Sequence, residues 1–158
     1  MMRIGHSKDV HRLTKGRPLI LGGVKIDHPY GLEGHSDADV LVHVVIESII
    51  GALAMGDIGA HFPDTDPKYK GVDSMALLRE VKIMLDGSDY QIGNLDATIF
   101  AEQPKMRPHI ALMRENIAAT LGIHVEQVNV KATRGEGMGF VGREEGMGAE
   151  CVCLLVKK

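Results

Sequence analysis

Between Val40 and Met55 the chain contains no proline and is apolar nearly all round, with Val40, Leu41, Val42, Val44 and Val45 surrounding one imidazole, His43. A helix of that kind is stable only when buried on every side. The pattern therefore predicts a buried helix, its signals beginning near Ser36, where a short polar residue can accept orphan N–H groups. The 158 residues can supply the core this requires, since a domain near that size buries roughly 70% of its unfolded surface. One folded domain spanning residues 1–158, without long tails, is expected.

Around this helix the pattern alternates. Arg3 to Leu13 reads as a strand, and Pro18 to Ile26 as a hairpin turning at Gly22-Gly23, where positive φ is easily supplied. Gly56 to Asp73, rich in Asp, Gly and Pro, reads as a long loop covering a substrate. Ser74 to Leu85 reads as a helix, and the alternation Ile92, Leu95, Ala97, Ile99 as a strand running toward Ala101. After a turn at Gln103-Pro104, Pro108 opens a helix whose stripe Ile110, Met113, Ile117, Leu121 ends at Gly122. Val128 to Ala132 and Glu150 to Val156 read as strands. The order implies an α/β (α+β) sandwich, a mixed sheet with helices packed on one face. The glycines from Gly135 to Gly148 match no phosphate-binding fingerprint and read as a flexible connection.

Composition narrows the function. With 44% hydrophobic and 25% charged residues the chain is ordinary globular material, and a formal charge of −3 leaves no basic excess for nucleic acid. No stretch approaches a membrane span, and the N-terminus has no apolar signal core, so a bacterial cytosolic setting is expected with no membrane partner. Cys151 and Cys153, two apart in an apolar run, read as core packing on one strand face.

The chemistry starts at Asp9-Val10-His11. Two residues apart on a strand, a carboxylate and an imidazole project from one face, although such a pair alone is more often an exposed polar surface. His43 adds a third donor, because an imidazole in an apolar helix needs its nitrogens satisfied, by a metal or by ordinary hydrogen bonds. Asp39 and Glu47, one turn either side, are the expected orienting carboxylates. Three protein ligands would leave one tetrahedral position open, the arrangement of a catalytic zinc.

Five segments contain or accompany these residues: Arg-Ile-Gly-His-Ser-Lys-Asp-Val-His from Arg3, Gly-His-Ser-Asp-Ala-Asp-Val-Leu-Val-His from Gly34, Gly-Asp-Ile-Gly-Ala-His-Phe-Pro-Asp-Thr-Asp-Pro from Gly56, Gln-Pro-Lys-Met from Gln103, and Gly-Phe-Val-Gly-Arg-Glu-Glu-Gly from Gly139. Over nearly its whole length the chain resembles the 2-C-methyl-D-erythritol 2,4-cyclodiphosphate synthase family of the non-mevalonate isoprenoid route. The resemblance implies a homotrimer with active sites between subunits, Zn²⁺ on Asp9, His11 and His43, and a second ion, Mg²⁺ or Mn²⁺, helped by Glu136. It implies closure of a cyclic diphosphate from 4-diphosphocytidyl-2-C-methyl-D-erythritol 2-phosphate, with loss of CMP.

Carried onto this sequence, the resemblance gives His35 a catalytic place and sets His35 and Ser36 at the phosphorylated end. Asp57, Ile58, Gly59, Phe62, Pro63, Asp64, Thr65 and Asp66 would meet the methylerythritol part. Turn chemistry explains Asp64 and Thr65 about as well, whereas function is favoured for Asp57 and Asp66. Ala101, Glu102, Gln103, Pro104, Lys105, Met106 and Arg107 would hold cytosine, with Lys105 near phosphate. Thr133, Arg134, Gly135 and Glu136 would flank the diphosphate, and Phe140, Arg143 and Glu150 would face an axial cavity able to take an isoprenoid diphosphate.

Two places depart from the family pattern. Arg134-Gly135 stands where a Thr-Thr or Thr-Asn pair is usual, putting a forked cation at a transition-state position. Ser7-Lys8 replaces a Gly-aromatic pair and is expected to alter the axial cavity wall. Two rival functions therefore stay open: a metal-dependent phosphoesterase on the same fold, and a trimer that binds isoprenoid diphosphates without catalysis.

Overall fold

The computed structural model describes residues 1–158. Five strands form one mixed sheet in the order β4-β1-β7-β5-β6: β1 (Met2–Lys15), β4 (Tyr30–Leu32), β5 (Tyr90–Phe100), β6 (Val128–Thr133) and β7 (Gly146–Lys157). All neighbours run antiparallel except β5 and β6. That parallel pair is joined by helix α4 (Arg107–Leu121), the crossover that parallel strands require. The remaining strands, β2 (Leu19–Leu21) and β3 (Val24–Ile26), form the expected hairpin, with φ of 58° at Gly22 and 69° at Gly23. No helix is long and apolar enough to cross a membrane.

The helices lie on one face, as the alternation of elements implied. Helix α1 (Val40–Ala52) packs on β1 and β7 and is almost wholly buried, from Val40 through Ala52. Its start is Asp39, whose Oδ1 accepts the Val42 N–H at 3.0 Å. Ser36, the expected starting region, lies outside the helix and its hydroxyl accepts the Ala38 N–H. Asp39 also accepts the Gly22 and Gly23 N–H groups at 2.9 and 2.8 Å, tying the hairpin to the helix. Full burial pushes the Asp39 carboxyl up, to about 6, against the lowering effect of those backbone donors.

Gly5 sets the separation of α1 from β1. A Cβ there would lie 1.8 Å from the Ser48 carbonyl oxygen, so only glycine lets the helix backbone approach this closely. Beyond Gly5 the side chains of β1 and α1 meet in steps. Ser7 donates to Glu47 at 2.6 Å, and Asp9 stands opposite His43. Two strand residues and four helix residues both advance about 6 to 7 Å, which keeps the two series in step.

Helix α3 (Ser74–Asp86) and α4 complete the layer, and Gly122 ends α4 in the left-handed region at φ 63°. Cys151 and Cys153 are free and buried in it. The opposite face of the sheet is uncovered and partly apolar, with Ile4 72%, Val10 50% and Val152 43% exposed. Lys8 lies there, paired with Glu150 at 3.0 Å. Ser7 does not belong to that face: it points the other way, 5% exposed beneath α1. The pleat separates adjacent residues, so of the atypical pair only Lys8 lies on the uncovered face.

Candidate active site

Asp9 and His11 project from the helix-facing side of β1, and His43 comes down from α1 to meet them. One ligand atom from each lies within 4.8 Å of the others. His11 Nε2 is 2.9 Å and His43 Nδ1 3.3 Å from the same Asp9 oxygen, Oδ2. The far side of each ring is committed elsewhere. His11 Nδ1–H donates to the Glu33 carbonyl at 2.6 Å, and since a carbonyl only accepts, the proton sits on Nδ1 and Nε2 faces the cluster.

His43 is fixed by hydroxyls. Its Nε2 lies 3.1 Å from Ser36 Oγ and 3.0 Å from Ser74 Oγ. Ser74 donates its own proton to Asp37 in a short bond, so it accepts from His43 Nε2–H and leaves Nδ1 for the cluster. The expectation that Asp39 and Glu47 orient this ring is thereby corrected. Asp39 is consumed by backbone donors, and Glu47 by Ser7. Sequence reading missed Ser74 because it registered only as a helix start, and it missed Glu33 because a carbonyl leaves no signature in residue type.

Electrostatics agrees with the geometry. Burial would raise the Asp9 carboxyl, but hydrogen bonds and charge from His11 and His43 outweigh it and hold Asp9 well below the usual carboxylate range. Burial works against protonation of His11, and bonding to Asp9 and to the Glu33 carbonyl reverses it, leaving its pKa raised. With the outer nitrogens donating, two inward nitrogens and a carboxylate form a donor set that fits a divalent ion of the zinc type.

The cluster opens into a cleft of about 420 Å³ lined also by His35, Ser36, Ile58, Gly59, Phe62 and Asp64, with Gly34, Tyr69, Val72 and Leu77. The loop expected over 56–73 holds helix α2 (Ile58–His61) and a single 3₁₀ turn, Pro67–Tyr69. Asp57 caps α2 by accepting the Ala60 N–H, and Asp66 caps the 3₁₀ turn by accepting the Lys68 N–H. His35 Nε2 lies 3.3 Å from the Asp66 carbonyl. Turn chemistry thus accounts for the Asp57 and Asp66 carboxylates, while Asp64 faces the cleft. Pro63 and Thr65 lie between.

A second cleft, about 570 Å³, is lined by Ala101, Glu102, Gln103, Pro104, Lys105, Met106 and Arg107 together with Thr133 and Arg134. None of these residues lines the first. The sheet register sets the spacing: Asp9 and Ile99 both pair with Ala149, and Phe100 pairs with Thr133, so the metal cluster and Thr133 are three strands apart, roughly 14 Å. Arg134 Nη2 donates to Glu102 Oε1 at 2.7 Å. Gly135 and Glu136 continue the same loop, and Glu136 stands exposed at φ 52°.

The glycine-rich stretch is a compact turn around α5 (Gly139–Gly142), not the expected flexible connection. A Cβ on Gly135 would meet Gly142 N at 2.4 Å, so glycine here allows backbone to touch backbone. Phe140 borders a smaller pocket with Val10, Arg12 and Glu145, and Arg143 donates to Glu145 at 2.7 Å.

Two histidines and one carboxylate on a mixed sheet, able to hold a divalent ion and open to a cleft, form the kind of centre that metal-dependent enzymes use. The YgbB family model matches residues 2–156, and the chain belongs to that family. Its relatives include the 2-C-methyl-D-erythritol 2,4-cyclodiphosphate synthases of Clostridium perfringens, 60% identical over 99% of this chain and 100% of the relative, and of Geobacter sulfurreducens, also 60% identical over 99% and 100%. Among solved structures, the bifunctional IspDF from Campylobacter jejuni superposes with TM-score 0.96 at 39% identity. It covers all of this chain, which spans 43% of that longer protein. A CDP complex of IspF from Plasmodium falciparum superposes with TM-score 0.88 at 32% identity, covering 99% of this chain and 97% of the other.

Proposed function

We propose that this chain converts 4-diphosphocytidyl-2-C-methyl-D-erythritol 2-phosphate to 2-C-methyl-D-erythritol 2,4-cyclodiphosphate. An oxygen of the 2-phosphate attacks the β-phosphorus of the same molecule, a new P–O–P bond closes the ring, and CMP leaves with the former bridging oxygen. The observation that carries this reading is the convergence of Asp9, His11 and His43 beside His35 and Ser36, in a chain 60% identical to synthases of that name.

An ionised phosphate is already nucleophilic, so the site needs no general base. It needs to fold the substrate and neutralise charge. Asp9, His11 and His43 would hold Zn²⁺, which when bound supplies a Lewis acid for the diphosphate oxygens. Glu136 would help a second ion, Mg²⁺ or Mn²⁺. The Ala101–Arg107 loop would take cytidine and the Asp57–Asp66 loop the methylerythritol part, with His35 and Ser36 toward phosphate. Bonds to Glu33, Ser36 and Ser74, the last fixed in turn by Asp37, hold the two imidazoles with their lone pairs inward.

We further propose a homotrimer with sites between subunits. Two features support it: residues assigned to one substrate line two separate clefts, and the far sheet face leaves Ile4, Val10 and Val152 uncovered. An isoprenoid diphosphate near Phe140, Arg143 and Glu150 belongs to the same proposal, as does a bacterial cytosolic setting, consistent with the bacterial relatives. Incubated with substrate, Zn²⁺ and Mg²⁺, the protein is expected to yield CMP and cyclic diphosphate in equal amounts. Free phosphate, or CMP with an uncyclised 2,4-bisphosphate, would indicate a hydrolase and overturn the reading.

A further inference from the structure

Glu102 sits on a surface loop, yet its side chain is only 9% exposed, against 58% for its partner Arg134. The carboxylate is fully used. Oε1 accepts from Arg134 Nη2 at 2.7 Å, and Oε2 accepts the Gly135 N–H at 2.8 Å. The sheet pairing of β5 with β6 ends just before this point: Phe100 is opposite Thr133, and the Ala101 N–H donates to the Thr133 carbonyl at 3.0 Å. Past that bond the chain turns through two left-handed residues, Glu136 at φ 52° and Gly137 at 75°, so ladder geometry no longer governs its path. Glu102 joins the loop after β6 to the loop after β5 through one side-chain donor and one backbone donor. Bonds to an ionised acceptor are shorter and stronger than neutral ones, which suits the carboxylate to that task.

We infer that Glu102 is a positioning residue, which locks the Thr133–Glu136 loop onto the Ala101–Arg107 loop and, by engaging the Arg134 guanidinium, keeps that cation from binding a diphosphate in the wrong register. The inference rests on the functional reading above for the identity of the ligand. The two residues act as a matched pair. Removing the charge at 102 frees a forked cation beside the diphosphate site, and removing the cation leaves a carboxylate there to repel the ligand.

The test is a double-mutant cycle read by CDP binding in calorimetry and by amide exchange at Gly135, measured on the full protein with Zn²⁺ and Mg²⁺. Glu102→Gln keeps an acceptor for Gly135 and nearly the same volume, so it guards against loss of fold. Glu102→Ala is expected to speed exchange at Gly135 by about tenfold or more, and Glu102→Gln to change it far less. Glu102→Gln and Arg134→Thr are each expected to weaken CDP binding by about tenfold, with the double variant no weaker than either single one. Exchange at Gly135 unchanged in Glu102→Ala, or strictly additive losses of CDP affinity, would overturn the inference. Absence of CDP binding by the unaltered protein would instead count against the functional reading, and exchange at Gly135 would still decide whether Glu102 holds the loop.

Discussion

His43 Nδ1 stands 3.3 Å from Asp9 Oδ2, linking the most deeply buried helix to the strand beneath it. The contact makes the cluster of Asp9, His11 and His43 a product of core packing, because the positions of both residues follow from how α1 lies on β1.

Removal of a ligand and removal of its support should differ in degree. His43→Ala is expected to lose bound zinc on dialysis and nearly all turnover. Ser74→Ala leaves Ser36 on His43 Nε2 and is expected to weaken zinc by roughly tenfold, measured by chelator competition. Full metal stoichiometry in the His43 variant would contradict the ligand assignment.

Gly5→Ala is expected to cost about 3 kcal/mol in denaturant unfolding, since its Cβ would fall 1.8 Å from the Ser48 carbonyl and α1 must lift. Because that lift separates His43 from Asp9, zinc affinity should fall in the same variant. A stable variant with unchanged zinc affinity would show that the helix spacing does not control the site.

Acid should release the Glu102 latch. Burial raises this carboxyl, but the bonds from Arg134 and Gly135 prevail and hold it below its usual 4.5. A group with a depressed folded pKa stabilises above its unfolded value and loses that contribution as pH falls through the folded one. Protection of the Gly135 amide, corrected for intrinsic exchange, is therefore expected to persist above pH 5 and decline in acid, and Glu102→Gln should remove the dependence.

Subunit mixing addresses the assembly. If each site combines the zinc cleft of one chain with the cytidine cleft of a neighbour, co-refolding His43→Ala with a Lys105→Ala variant should restore intact sites, about a quarter of the total for random equal mixing. Sites contained within one chain would restore none.

Much of this was legible in residue order. The Asp9, His11 and His43 cluster, the mixed sheet with its helices on one face and the hairpin at Gly22-Gly23 all follow from periodicity or resemblance. What supports the cluster was not legible. Ser74 reaches His43 through the tertiary packing of α3 against α1, Asp37 acts only through Ser74, and Glu33 contributes only a carbonyl. Asp39 lies one turn from His43 yet is spent on the hairpin, so helical spacing indicated the wrong partner. The glycines near 135–148 read as freedom because sequence does not show that two backbones touch there.

The most direct measurement is the reaction run in ¹⁸O-labelled water with mass analysis of both products. Attack by the internal phosphate predicts no label in either CMP or the cyclodiphosphate. Label in CMP, in a released phosphate or in an uncyclised 2,4-bisphosphate would mean that water is the nucleophile, and the assignment of this chain to ring closure would fail.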